Sequence, residues 1–450
     1  MKTKKFSTLL VSLASGLVLT WTAMSAQAVP SFARQTGMPC SGCHTKYPEL
    51  NQFGRSFKLN GYTLAGINQI QQSGSSMKAG LKINQIPAFS AMLQVSATHM
   101  NKSDPSSQNN SVAFPQEASL FYAGEISKNI GSFIQLTYEQ ATSSMGWDNS
   151  DVRYATQFDG NIWGVTLNNN PTVQDVWNST PAWGFPFVGS AAANAPSDKT
   201  APIIDGGLAQ DVAGLGTYVL LKGTVYGEIS FYRSAHQGSP DPNSETTAPT
   251  IGSQNTIKGM APYWRLAWQT NFGNNYLMLG TYGIKANLYP GGNNNVTDFT
   301  GPTDDYTDAA VDAQYERMMD GNMLTVRSTY IDEKRDLNAT YAAGGSSQKT
   351  DKLKTFRINA TYHMGTEYSV SLAHFNTSGD SDTLLYTDNY NGKPDSSGEI
   401  FQATFLPAEN VQLTAQYTMY DKFNGTKNKY DGTRNASDND TLYLMGWFTW

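Results

Sequence analysis

The segment DAAVDAQYERMMDGNMLTVRSTYIDE, residues 308 to 333, contains two alternating runs joined by a turn. Val311, Ala313 and Tyr315 interleave with Asp308, Asp312, Gln314 and Glu316. Successive side chains of a strand point to opposite faces, so this period of two predicts a strand with one apolar and one polar side. The turn Met319-Asp320-Gly321-Asn322 contains an Asp-Gly pair, which supplies the positive φ angles that a tight hairpin requires.

The same alternation recurs on either side. Phe356, Ile358, Ala360 and Tyr362 interleave with Arg357, Asn359, Thr361 and His363, and Val411 to Met419 repeat the pattern. Sixteen such stretches run from about residue 82 to the C-terminus, the first of them spanning 82–100. Short links (127–131, 158–161, 271–275, 319–322, 364–366) alternate with long polar ones (101–114, 170–209, 234–259, 287–303, 335–351, 377–396, 422–439). Tight turns on one rim, long loops on the other and an even strand number predict a transmembrane antiparallel β-barrel of about sixteen strands, wide enough to enclose a lumen. A soluble sandwich or lectin-like array has no need of that alternation of loops. The C-terminal run DTLYLMGWFTW fits the barrel, with Leu442, Leu444, Phe448 and Trp450 on one face and an aromatic residue closing the last strand.

Composition agrees with this fold class. Charged residues are only 15% and aromatics 12%, yet no run after the N-terminus approaches the roughly 20 apolar residues of a membrane helix. Lys2, Lys4 and Lys5, the apolar stretch Leu9 to Leu19 and the small-residue site Ala26-Gln27-Ala28 predict a secretory signal peptide over 1–28. Its removal leaves 28 basic against 37 acidic residues, which argues against a nucleic-acid partner.

Between the signal and the barrel lies MPCSGCHTKY, residues 38–47, which holds both cysteines of the chain. A disulfide closing so small a loop would constrain little chain, and a thioredoxin-like dithiol would need a βαβ context that is absent. C-x-x-C-H explains the histidine as well: Cys40 and Cys43 attach one haem c through its vinyl groups, and His44 supplies the proximal ligand to its iron. Residues 29–77 are therefore expected to form a small α-helical c-type cytochrome plug, and 78–450 the barrel. Leu50, Phe53 and Phe57 fall on one helical face, suited either to a porphyrin edge or to an ordinary helix core. Arg55 and Lys58 would meet haem propionates or solvent.

The run VPSFARQTGMPCSGCHTKYPELNQFGRSFKLNGYTL, followed by this barrel, resembles the outer-membrane fused monohaem cytochrome-porins of iron-oxidising bacteria, as does NNNPTVQDVWNSTPAWGFPF at 168–187. Cys40, Cys43 and His44 match that family's haem motif position by position. The resemblance implies a haem protein at the periplasmic mouth or in the lumen of an outer-membrane barrel. It would oxidise extracellular iron(II) and pass electrons to a soluble periplasmic cytochrome, an iron(II):cytochrome c oxidoreductase-like electron-transfer role. An electron conduit for another donor or for electron export, and a diffusion porin with an accessory haem segment, are the alternatives.

The sixth iron ligand is open. Methionine there raises the reduction potential, and Met77, Met92 and Met100 are candidates, Met92 and Met100 by their lumen-facing parity. Met38 is too near Cys40 to reach the far side of the ring, and His363 is a histidine alternative with lumen parity. His99 should face lipid or the outer rim. The polar parity also carries Glu139, Arg153, Glu228, Arg265, Asp308, Asp312, Glu316, Arg327 and Arg357 inward, either as a wetted wall or as a charged lining that orients the plug through Asp308 and Asp312. Loop acids at Asp298, Asp304, Asp305, Asp380, Asp382, Asp438 and Asp440 could gather iron(II) transiently. The loop 170–209 could fold inward as a constriction or lie outside as a cap.

Overall fold

A computed structural model describes residues 29–64, 69–71, 82–103, 109–139, 144–173, 175–180, 189–190, 192–235, 255–290, 299–387, 389 and 391–450. The expected signal peptide, Met77 and Asp298 lie outside the described residues.

Sixteen antiparallel strands close on themselves. In chain order they are β1 (Phe89–Met100), β2 (Ser111–Ser127), β3 (Ile130–Glu139), β4 (Ser144–Phe158), β5 (Asn161–Asn168), β6 (Val212–Leu221), β7 (Val225–Ser234) and β8 (Ala261–Phe272). They continue as β9 (Asn275–Leu288), β10 (Asp304–Met319), β11 (Asn322–Asp336), β12 (Thr350–Met364), β13 (Tyr368–Gly379), β14 (Ser396–Ala408), β15 (Val411–Lys422) and β16 (Thr441–Thr449). Each pairs with the next, and β16 pairs with β1 from Thr441↔Met100 to Thr449↔Met92, so no edge is left open. The turn between β10 and β11 has Asp320 at φ 44° and Gly321 at φ 84°, the left-handed geometry its Asp-Gly pair predicts.

The first strand is shorter than its sequence pattern. Lys82–Asn84 pairs with Gln69–Gln71 outside the barrel, and the first barrel strand starts at Phe89. Pro87 lies between them and has no N–H to give to a ladder.

The two faces separate as the alternation requires. Leu215, Leu266, Leu279, Val311, Leu372 and Phe401 are exposed on the outside. So wide an apolar surface is unfavourable against water and favourable against lipid, while a closed sheet satisfies its backbone groups in hydrocarbon. Among the described residues no helix is long and apolar enough to cross a membrane. The closed sheet has the geometry of an outer-membrane-type barrel, with short turns on one rim and long loops on the other.

Inside, the lumen holds a packed interior. One buried cluster joins Cys40, Tyr47, Phe57 and Tyr62 of the N-terminal segment to Met92, Phe121, Phe133 and Trp447 of the wall. A second sets Leu59, Val176 and Trp177 against Tyr218, Tyr226 and Tyr276. A third packs Ile203, Ile204 and Leu208 against Tyr232, Tyr263, Tyr282 and Ile331. The connection between β5 and β6 therefore folds inward, which the sequence left open.

Candidate functional site

The N-terminal segment carries two helices, α1 (Pro30–Thr36) and α2 (Gln52–Leu59). Between them, Cys40–Gly42 form one tight turn in which the Cys43 N–H donates to the Cys40 carbonyl at 3.0 Å. His44–Lys46 then pair with Glu49–Leu50 in a short ribbon. Asn51 caps α2 by accepting from Gly54 N–H at 2.9 Å, and its amide donates back to the carbonyls of Ser41 (3.2 Å) and Gly42 (3.0 Å). The helix start is thereby tied to the cysteine turn. Gly54 makes this approach possible, since a Cβ there would collide with the Cys43 carbonyl.

Cys40, Cys43 and His44 face one cavity of about 1340 Å³, counting the solvent space at its mouth. Phe53 and Phe57 line it from one face of α2, whereas Leu50, expected on the same helical face, lines it from the ribbon before the helix, with Phe121, Phe133 and Trp447 also in the lining from the barrel wall. No disulfide joins Cys40 to Cys43. Burial pushes the Cys43 thiol up to about 11, which keeps it protonated at neutral pH. Burial also pushes the His44 imidazole down to about 4, with the backbone of Glu49 and Pro48 opposing the shift only in part. His44 is therefore neutral, the form that ligates a metal, and its Nδ1 is buried without a hydrogen-bond partner. An apolar cavity lined by two unbridged thiols and an imidazole offers the donor set that a thioether-linked haem requires.

The candidate sixth ligands separate. Met92 is buried in the cavity wall. Met100 sits at the long-loop end of β1, where its N–H donates to Asn109 Oδ1 at 2.8 Å, and is absent from the cavity lining. His363 is buried in the lumen with Nε2 3.8 Å from Glu49 Oε1, and is likewise absent from the lining. His99 is exposed and pairs with Asn110 at 2.7 Å, as its outward parity predicts.

Arg55 and Lys58 are buried rather than solvated. Arg55 is taken by Glu316 at 2.6 Å, whereas Lys58 lines the cavity and donates to the Val173 carbonyl. Burial pushes Lys58 down to about 8. Further anchors hold the segment: Arg327 to Glu49 (2.6 Å), Tyr62 Oη to Asp151 (2.6 Å), Tyr218 Oη to the Leu59 carbonyl (2.7 Å) and Ser41 Oγ to Glu409 (2.8 Å). Burial would raise the Glu49 carboxyl, but Arg327, His363 and Lys46 hold it well below the usual carboxylate range.

The inward charges divide by height. Glu316 and Arg327 grip the N-terminal segment, but Asp308 and Asp312 do not. Asp308 accepts from Ile204 N–H at 2.7 Å, and Asp312 receives Ser179 Oγ and Arg265, so both hold the inward connection. Arg357 likewise pairs with Asp205 at 2.5 Å. Glu228 accepts from Tyr226 and Ser230 on its own strand, and the Glu139 side chain lies outside the described residues. Sequence parity gives the face of a side chain but no height along the barrel, and height decides the partner.

The connection supplies part of the cavity roof through Thr172, Val173, Asp175, Asn178 and Thr180. Several loop acids are engaged in structural bonds. Asp304 accepts from Ala339 N–H at 2.8 Å, Asp382 from Ser347 N–H at 2.9 Å, and Asp440 from Tyr420 N–H at 2.8 Å, while Asp438 pairs with Lys102 at 2.9 Å. Asp380 stays exposed. Among the described residues, no group of three or more His, Cys, Asp or Glu is placed to hold a metal ion.

The chain is similar in structure to outer-membrane porins. A loop-deletion mutant of OmpT, an outer membrane protein of Vibrio cholerae, aligns with TM-score 0.46 and 11% identity over 80% of this chain and 98% of that one. The anion-selective porin from Comamonas acidovorans gives 0.45 and 10% over 80% and 98%. Salmonella typhi OmpF in complex with daunomycin gives 0.47 and 12% over 85% and 100%. No protein-family model and no curated protein matches the chain.

Proposed function

We propose that the protein is an outer-membrane electron conduit whose N-terminal segment carries one covalent haem c, taking electrons from extracellular iron(II) and passing them to a soluble cytochrome in the periplasm. One observation carries this reading: Cys40, Cys43 and His44 of a C-x-x-C-H motif open together into an apolar cavity at the short-turn end of the lumen. The haem would supply a one-electron iron(II)/iron(III) couple.

The chain's own residues would do the rest. Cys40 and Cys43 hold the ring through thioethers, and His44 offers a neutral imidazole to the iron. Phe57, Phe121 and Trp447 exclude water, which favours electron transfer over ligand exchange. Lys58 places a buried cationic group in the cavity wall, suited to a propionate. The turn between β14 and β15 holds Ser41, inside the motif, through Glu409, so the short-turn rim is where a periplasmic acceptor would come nearest.

A diffusion pore with an accessory haem segment is the competing function. The packed interior argues against it, because the N-terminal segment and the inward connection occupy the lumen that a solute would cross.

The test begins with expression alongside c-type maturation machinery and a count of covalent haem per polypeptide. Oxidised protein is then mixed with iron(II) by stopped flow, and the reduced haem bands are followed. Reduction at neutral pH is expected. A chain without covalent haem overturns the cofactor; a loaded protein that iron(II) fails to reduce overturns the donor but leaves the cofactor standing.

A further inference from the structure

We infer that the barrel wall itself supplies the sixth ligand to the haem iron, through the thioether sulfur of Met92. The inference rests on the haem reading above and adds the ligand that sequence left open among several methionines. Among the described residues two methionines line the cavity, Met38 and Met92, while Met77 lies outside the described residues. Met38 lies two residues before Cys40, on the cysteine turn itself, and its methyl group folds back to 3.1 Å from where a Cβ of Gly42 would be. Met92 comes from a different body, the first barrel strand, in register with Ser119 on one side and Thr449 on the other. It is 3% exposed and packed in the same buried cluster as Cys40, Tyr47 and Trp447.

One weak polar contact reaches the Met92 sulfur. Gln94 Nε2 lies 3.8 Å from Met92 Sδ as a weak donor, which fixes the sulfur while leaving a second lone pair to give. Lys58, the amine in the cavity lining, donates to the Val173 carbonyl as the cationic group suited to a propionate. A thioether is a soft, neutral donor that raises the potential of a histidine-ligated haem. Ligands from both bodies would make the haem a fastening between the N-terminal segment and the barrel, with His44 on one body and Met92 on the other.

The test reads the haem rather than turnover. Met92→Leu preserves volume, so the barrel is expected to fold, as its heat-modifiable migration in gels will report. In wild type the oxidised protein should show the long-wavelength charge-transfer band of methionine-ligated haem and a low-spin ferric signal. Met92→Leu should lose both, lower the reduction potential and let carbon monoxide bind the ferrous haem freely. Met92→His should restore a six-coordinate low-spin haem with a lower potential than wild type. Met38→Leu and Met100→Leu should leave the spectrum unchanged. A methionine band that survives Met92→Leu, or is lost in Met38→Leu instead, overturns the assignment, as does a loaded wild type without that band. Absence of covalent haem from wild type overturns the parent reading first, and is told apart by the haem count.

Discussion

Arg55 Nη1 donates to Glu316 Oε1 at 2.6 Å, joining α2 of the N-terminal segment to β10 across 261 residues of sequence. Both side chains are almost wholly buried, and the guanidinium lies 4.6 Å from the centre of the Tyr276 ring. Burial alone would depress the Arg55 guanidinium, but Glu316 outweighs it and holds the charge in place. With Arg327 gripping Glu49 on the adjacent strand, this pair sets the height of the segment within the lumen.

Removing one partner should therefore cost more than removing both. Arg55→Met or Glu316→Gln leaves an uncompensated group in a dry site, worth about 3–5 kcal/mol, whereas the double variant restores neutrality and should lie closer to wild type. The measurement is protease release of residues 29–64 from detergent-folded protein, with melting followed in parallel. Equal and small effects in all three variants would remove the pair from this role.

Gly54→Ala is a test of local fit. A methyl group there must displace the Cys43 carbonyl or tilt α2, since Leu50 Cδ2 already stands 3.0 Å from the same point. Overpacking of this kind costs about 1–3 kcal/mol. Because the strain falls on the cysteine turn, covalent haem per polypeptide should drop while the barrel still forms. Full loading in this variant would show that the turn adapts and that the close approach is incidental.

The barrel was legible in sequence because its signal is local. A strand states its two faces in every pair of residues, and the Asp320-Gly321 turn states its own backbone geometry. The C-x-x-C-H spacing and the helical face of Phe53 and Phe57 are equally short-range, whereas Leu50 falls in the ribbon because Asn51 caps the helix after it. The interior was less legible. Asp175 and Trp177 read the same in an external cap as in an inward connection, because their partners Arg265 and Tyr276 lie about a hundred residues away on other strands. Arg55 and Lys58 look like surface charges until Glu316 and Val173 are set beside them. Met92 and Met100 share a parity on one strand, and only the height of the cavity separates them.

Asp382 predicts an acid limit for one outer loop. Burial alone would raise its carboxyl, but the Ser346 hydroxyl and the N–H groups of Ser347 and Leu385 hold it well below the usual carboxylate range. A depressed folded value means a contribution present above the unfolded pKa, about 3.9, and lost as pH falls through the folded one. Amide protection of residues 346–348, corrected for intrinsic exchange, should therefore hold between about pH 7 and pH 5 and fail only in stronger acid. Asp382→Asn should loosen the same loop already at neutral pH. Loosening of wild type near pH 5 would contradict the assignment.

The inward connection should govern passage through the barrel. Arg265 binds Asp312 at 2.5 Å, lies 3.7 Å from Asp175, and stacks between Trp177 (4.8 Å) and Tyr282 (4.9 Å). One guanidinium thus ties the roof of the cavity to two strands. Asn168 and Gly214 are direct register partners, so a short turn can replace residues 171–207 without disturbing β5 or β6. In a planar bilayer wild type should be nearly silent, and the shortened chain should conduct. Arg265→Met leaves Asp175 and Asp312 facing each other without their shared cation, and should give intermittent openings rather than a steady pore. The shortened protein should also let a small ferrous salt, added on the long-loop side of reconstituted vesicles, reduce the haem faster, since the layer from Thr172 to Thr180 is then gone. If wild type already conducts as freely as the shortened chain, solute flows past the connection, and the packed interior is not the barrier; if both are silent, the N-terminal segment alone closes the lumen.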